Sequence, residues 1–222
     1  MKVLIFGATG MVGKAVLREC LLDSGVEAVT SIGRTAAAAT DAKLSNLIHS
    51  DLLDYSAIEP QLTGFDACFF CLGVSAGSVS EEQYRRLTYG ITAAAAETLA
   101  RLNPAMTFIF VSGAGADSTG QSKVMWARTK GKAENTVLGL PFKASYVFRP
   151  AAIQPVNGEV SRTTAYRILY AITKPLLPLL LKFFPAYIVT TEELGRAMLR
   201  IVRSGYPKRI LESADIGDCA RR

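Results

Sequence analysis

A doubly wound α/β fold, a parallel sheet with helices on both faces, is predicted by three features of this 222-residue sequence. Short apolar runs alternate with helix-patterned stretches along the chain. The first run, Val3-Leu4-Ile5-Phe6, stops at Gly7, and Gly10 and Gly13 follow before a helical pattern begins. The run from Asp66 to Leu72 is continuously apolar rather than alternating, as a strand covered on both faces requires.

The opening element carries the strongest functional signal. Gly7 permits a tight turn, Gly10 lets backbone amides approach a pyrophosphate, and Gly13 lets the helix lie close to its strand. Gly7, Thr9, Gly10, Met11, Val12 and Gly13 are therefore expected to hold a dinucleotide. The spacing G-x-x-G-x-x-G, starting at residue 7 between a strand and a helix, resembles the short-chain dehydrogenase/reductase superfamily, particularly its extended and atypical branches.

Composition bounds the alternatives. Half the residues are hydrophobic and a fifth are charged, which indicates a soluble globular chain with one sizeable core. The net charge of +6 comes from scattered Lys and Arg residues, not from a basic face interleaved with aromatics, so no nucleic-acid partner is expected. Four cysteines occur. Cys68 and Cys71 form a C-x-x-C pair inside a strand-like run, where positions i and i+3 face opposite ways. With His49 as the single histidine, no metal site is expected, and buried reduced thiols imply a cytoplasmic setting. The apolar stretch at the N-terminus is too short for a signal peptide.

Along the chain, a first helix over about 12–23 precedes a second strand, Ala28 to Ile32, which ends in Gly33-Arg34. No acid stands at this junction for a ribose 2′-hydroxyl. Arg34, 21 residues beyond Gly13, offers a guanidinium that pairs with a 2′-phosphate, so NADP is the expected cofactor. A small-residue loop over 35–45 leads to a third strand, Leu47 to Ser50, and to Asp51-Leu52. The resemblance implies that this pair meets the adenine ring; Asp51 could equally cap the next short helix.

The fourth strand, Asp66 to Leu72, runs into Gly73, which by resemblance lies under the adenosine ribose. A long helix is expected from Glu81 to Leu102. In such folds this helix commonly joins a dimer bundle, so a homodimer or another protein partner is compatible with it. The fifth strand, Met106 to Val111, carries Ser112 at its carboxyl end, where the superfamily places a serine that holds the substrate carbonyl; a loop serine bonded to local backbone is the alternative.

Downstream comes Met125-Trp126-Ala127-Arg128-Thr129-Lys130-Gly131-Lys132-Ala133-Glu134. The superfamily's signature here is Tyr-x-x-x-Lys on one helical face. Lys130 is present and by resemblance binds the nicotinamide ribose, but Trp126 stands in place of the tyrosine. The Lys-Gly-x-x-Glu continuation resembles the Tat-interacting-protein group of atypical members, which keep the tyrosine. An indole N–H donates a hydrogen bond but has no accessible pKa, so Trp126 is read as a pocket wall or core residue. Tyr84, Tyr89, Asp117, Tyr166 and Tyr170 are other groups able to donate a proton.

After a sixth strand, Ala144 to Phe148, Arg149-Pro150-Ala151-Ala152-Ile153 resembles the family's stretch beside the nicotinamide, with Pro150 fixing the backbone and Ile153 packing on the ring. Residues 151–189 are expected to form a small substrate-side elaboration, including a helix over 162–170 and an apolar, proline-broken lid. Lys174, Lys182 and three prolines argue against a membrane span. Thr190 and Glu193 form a capping box for a helix to about Arg203, and a last strand covers 209–211. The chain is thus expected to be one Rossmann-type domain that binds NADP and transfers hydride to or from a small apolar substrate. A non-catalytic NADP(H) sensor or scaffold is the alternative, favoured by Trp126; sugar-nucleotide epimerisation suffers from the same missing phenol.

Overall fold

The computed structural model describes residues 1–159 and 186–222. The helix expected over 162–170, most of the apolar lid, Tyr166 and Tyr170 lie outside the described residues. β1 (Lys2–Phe6) forms from four consecutive apolar residues, Val3 to Phe6, each completely buried. The chain turns at Gly7 into α1 (Met11–Leu22), then passes through β2 (Ala28–Gly33), β3 (Leu44–Ile48) and a 3-10 segment (Ser56–Leu62). β4 (Ala67–Phe70), α2 (Glu81–Arg85), a π-helical segment (Arg86–Gly90), α3 (Ile91–Leu102) and β5 (Thr107–Val111) follow. α4 (Met125–Gly139), β6 (Ala144–Arg149) and β7 (Ala152–Gln154) come next. β8 (Ile188–Thr190), α5 (Thr191–Ser204), β9 (Ile210–Glu212) and α6 (Ser213–Arg221) complete the described elements.

Seven strands pair in parallel in the order β3-β2-β1-β4-β5-β6-β9, and β7 pairs separately with β8. This is the doubly wound Rossmann architecture, with strand order reversing between β1 and β4. Alternate side chains of β1 enter different cores, as the pleat dictates. Val3 and Ile5 join Leu17, Leu194, Met198 and Ile216 on one face of the sheet. Leu4 and Phe6 join Phe70, Phe108, Leu99 and Val137 on the other. Cys68 packs in the second of these cores and Cys71 against the first, the opposite-face placement that their spacing requires.

Three elements depart from expectation. β3 starts at Leu44 rather than Leu47, because the parallel register begins at Val29 opposite Leu44 and this edge strand is only half covered, so its apolar pattern is weak. The helix expected from Glu81 to Leu102 is interrupted by the π-helical turn, where one extra residue is fitted into the spiral. β9 covers 210–212 rather than 209–211 and leads directly into α6, a helix of only nine residues. The capping box at the start of α5 forms as expected: the Glu193 amide donates to Thr190 Oγ1 at 3.1 Å, and the Thr190 amide donates to the Glu193 carboxylate at 2.9 Å.

Candidate functional site

The carboxyl ends of β1, β4, β5 and β6 meet at one edge of the sheet, around the reversal of strand order, which is where open α/β sheets take ligands. Gly7 has φ +80°, and a Cβ there would stand 2.8 Å from the Leu72 amide nitrogen, so only glycine fits the turn. The Gly10 amide donates to the Gly7 carbonyl at 2.9 Å and closes it. A Cβ on Gly13 would stand 2.1 Å from that same carbonyl oxygen, so α1 approaches the turn as closely as a bare backbone allows.

Gly10 is the N-cap of α1, no side chain caps the helix, and its first turn contains no acid. By contrast α2, α5 and α6 each begin with a capping box. The leading amides of α1, on Met11, Val12 and Gly13, therefore have no capping side chain among the described residues and stand at the positive end of the helix dipole. That arrangement suits a diphosphate. Thr9, half-buried, sits within the same turn.

On the adenosine side, Arg34 is exposed immediately after β2 and pairs with no acid among the described residues. The His49 amide donates to the Gly33 carbonyl at 3.0 Å, which draws the end of β3 alongside. Asp51 does not cap the 3-10 segment. One of its oxygens accepts the Leu53 amide at 3.0 Å in a local turn, and Asp54 instead accepts the Ser56 amide at 2.9 Å. Leu52 turns its side chain into the core, leaving only backbone for a ligand. Gly73 is exposed, and a Cβ there would meet nothing within 4 Å.

The other half of the edge is organised by a residue to which the sequence reading gave no role. Glu134 on α4 is completely buried. It accepts hydrogen bonds from Ser112 Oγ, from Ser118 Oγ at 3.3 Å and from Arg149 Nε at 3.0 Å, and Arg149 Nη2 pairs with it closely. The Ser112 hydroxyl proton is thus already donated, and the proton that a substrate carbonyl would need from it is engaged. The Ala114 amide donates to the Pro150 carbonyl at 3.1 Å, tying the loop after β5 to the end of β6. Pro150 is buried, and Ile153 is half-buried against the core. The legible signal for Glu134 was an acid one turn beyond Lys130, on a helix whose Ala133 and Val137 face inward. A Cβ on Gly131 would stand 1.7 Å from the Asp117 carbonyl oxygen, so this glycine lets α4 press against the same loop.

Lys130 is half-buried, with Nζ 5.7 Å from the centroid of the Phe110 ring. Burial pushes its pKa down to about 8, against a smaller opposing effect of Glu134. A lysine whose folded pKa lies below its unfolded value destabilises the fold while charged. The penalty is complete below about pH 8 and disappears above about pH 10.5. At about 1.4 kcal/mol per unit, its upper bound is about 3 kcal/mol. Lys130→Met is therefore expected to unfold at higher urea concentration than wild type at pH 7, with the gap closing by pH 10.5; a constant gap across that range would refute the penalty.

The remaining proton donors are constrained. Asp117 accepts from the Thr119 hydroxyl and the Thr119 and Ser122 amides, which hold its pKa down to about 2 and leave it ionised at neutral pH. Tyr84 is buried in the core, which raises its pKa. Tyr89 lies under Lys132, whose Nζ is 4.3 Å from the ring centroid. Trp126 is half-buried and its ring edge lies 3.3 Å from where a Cβ on Gly115 would be, so the indole leans on the loop after β5.

Known proteins bear on this arrangement. The chain is 28% identical over 172 residues to protein FMP52-2, mitochondrial, of Scheffersomyces stipitis, a match spanning 77% of this chain and 73% of that protein. It is 29% identical over 154 residues to protein HTATIP2 of Rattus norvegicus, spanning 68% of this chain and 62% of that one. Among solved structures it is similar to the Bordetella bronchiseptica enzyme WbmF in complex with NAD+, with a TM-score of 0.72 at 15% identity over 99% of this chain and 76% of that chain. An oxidoreductase of the short-chain dehydrogenase/reductase family from Burkholderia thailandensis gives 0.68 at 16% identity, over 97% of this chain and 92% of that one. These two likenesses concern the fold.

The cytoplasmic expectation is corrected by the fungal relatives, several of which are named mitochondrial and point to that setting instead. The thiols do not decide the compartment, since Cys20 and Cys68 are completely buried and are shielded from oxidants wherever the chain resides. Among the described residues no helix is long and apolar enough to cross a membrane. The NAD(P)H-binding family matches residues 7–138, from the glycine turn to the end of α4, and with the parallel sheet around that turn it shows that the chain belongs to the NAD(P)H-binding Rossmann proteins.

Proposed function

We propose that the chain binds NADP(H) in preference to NAD(H) and uses it to move hydride to or from a small, fairly apolar substrate. The observation that carries this reading is the N-terminus of α1 behind the glycine turn, with no side-chain cap among the described residues, and Arg34, which pairs with no described acid, at the tip of the next strand. In this reading the amides of 11–13 hold the diphosphate, Arg34 pairs with the 2′-phosphate, and Gly73 leaves room for the adenosine ribose. Asp51 has one carboxylate oxygen that accepts nothing from a described residue, which suits the adenine amine. Lys130 reaches the nicotinamide ribose, and Pro150 and Ile153 border the nicotinamide. Glu134 and Arg149 act one step back, holding Ser112 and the loop after β5 in place. The bound dinucleotide supplies or accepts the hydride.

A charge-assisted bond contributes about 1.5–3 kcal/mol, so Arg34 should favour NADPH over NADH by roughly tenfold to a hundredfold. Titration followed by nicotinamide fluorescence at low salt measures both affinities. Arg34→Glu should reverse the preference, and equal affinities in wild type and variant would remove Arg34 from the site. A second reading, a sensor that binds NADP(H) and changes partners without turnover, is favoured by Trp126 in the position of the usual phenol. Its mark is a nucleotide-dependent change of oligomer or partner with no substrate reduced.

A further inference from the structure

We propose that Lys130 is itself the proton donor of this site, its ε-ammonium protonating the oxygen of a carbonyl substrate in the place of the absent phenol. The proposal rests on the hydride-transfer reading above and adds the identity of the acid. Positions 126, 130 and 134 share one face of α4. Glu134, the acid placed to neutralise Lys130, is fully engaged by Ser112, Ser118 and Arg149. Lys130 forms no ion pair with a described residue and faces the Phe110 ring instead. It is thus a half-buried ammonium with spare N–H donors, at the sheet edge that takes the ligand.

Among the described residues, the competing donors are engaged or misplaced. The Ser112 proton goes to Glu134, Asp117 is held ionised by its own loop, and Tyr84 lies in the core. His49 stands at the end of β3, at the far edge of the sheet. Three other charged groups on and around α4 have partners of their own. Arg128 pairs with Glu81 of α2, Lys132 stacks on Tyr89 of the π-helical turn, and Arg149 of β6 binds Glu134 and stands 3.7 Å from Glu212. Burial brings the Lys130 pKa to about 8, so at neutral pH it is mostly charged yet acidic enough to give up a proton.

The step balances as follows. The carbonyl carbon gains hydride from the dihydronicotinamide, which is oxidised to the nicotinamidium form. The π electron pair moves to the carbonyl oxygen, which takes a proton from Nζ directly or through one water. An N–H bond breaks, an O–H bond forms, and the neutral amine regains its proton from solvent.

Two measurements on the full chain test this. The first is reductive methylation of the nucleotide-free protein with formaldehyde and cyanoborohydride across pH, with Lys130 read by peptide mass spectrometry. Its labelling should reach half-maximum near pH 8, about two units below that of exposed lysines. The second is single-turnover oxidation of NADPH with a panel of aromatic aldehydes and ortho-quinones. The rate should be level below about pH 7 and fall about tenfold per unit above about pH 8. Lys130→Arg should still bind NADPH, while its turnover drops by about 10²–10⁴ and loses the alkaline break.

A Lys130→Arg rate within about threefold of wild type, or labelling at the pH of exposed lysines, overturns the assignment. So does a wild type that binds NADPH and reduces none of the panel, an outcome that leaves nucleotide binding standing. Absence of NADPH binding sinks the reading beneath it as well. Should Lys130→Arg fail to fold, the wild-type labelling and rate profiles decide the question.

Discussion

Glu134→Ala is expected to lower the unfolding free energy by about 3–5 kcal/mol, the usual cost of removing one partner from a buried ion pair. Glu134 has no exposed surface and is the shared acceptor for Ser112, Ser118 and Arg149. Its removal leaves the Arg149 guanidinium, whose side chain is only 15% exposed, with Glu212 at 3.7 Å as its remaining acid among the described residues. It also leaves the Ser112 hydroxyl without its acceptor. Glu134→Gln keeps the shape and one carbonyl oxygen, so it should cost less. The double change Glu134→Met with Arg149→Met removes both charges together and should recover much of the loss. Urea denaturation of the three variants checks the ordering. A Glu134→Ala protein as stable as wild type would mean that the pair does not hold α4 to the ends of β5 and β6.

The contrast between Glu134 and the glycine turn explains what the sequence disclosed and what it concealed. The turn is legible because its demands are local: Gly7 must tolerate φ +80°, and Gly13 must clear a carbonyl six residues earlier. Spacing along the chain records both. β1, β4 and β5 were legible because central strands are apolar on both faces, whereas β3 at the edge was misplaced by three residues for want of that pattern. Glu134 was concealed because its partners come from β5, the following loop and β6, and no spacing records their meeting. Ser112 shows the same limit. Its position at the end of β5 was readable, but the direction of its hydroxyl depends on an acid 22 residues away. Asp51 was left open between two roles, and the structure settles one of them, since Asp54 meets the 3-10 segment.

Gly13→Ala should damage fold and ligand site together, and comparison with Gly73→Ala separates the two effects. A Cβ on Gly13 would stand 2.1 Å from the Gly7 oxygen, 2.6 Å from the Gly7 carbonyl carbon and 2.9 Å from the Ala8 Cα. All three are backbone atoms, so no side chain can swing aside. α1 must move away from β1, and the Gly7 carbonyl that accepts the Gly10 amide moves with the turn. Overpacking of this kind costs about 1–3 kcal/mol and often more against rigid backbone. Because the displaced helix end carries the amides of 11–13, nucleotide affinity should fall by about a hundredfold or more, equivalent to about 3 kcal/mol. Gly73→Ala meets no atom within 4 Å, so its stability should match wild type. If the adenosine ribose packs over residue 73, its affinity should nevertheless fall by about tenfold. Thermal melts of the nucleotide-free proteins and NADPH titrations distinguish these cases. Wild-type affinity in a stably folded Gly13→Ala protein would show that the diphosphate is not gripped by the start of α1, and the functional reading would then lose its physical basis.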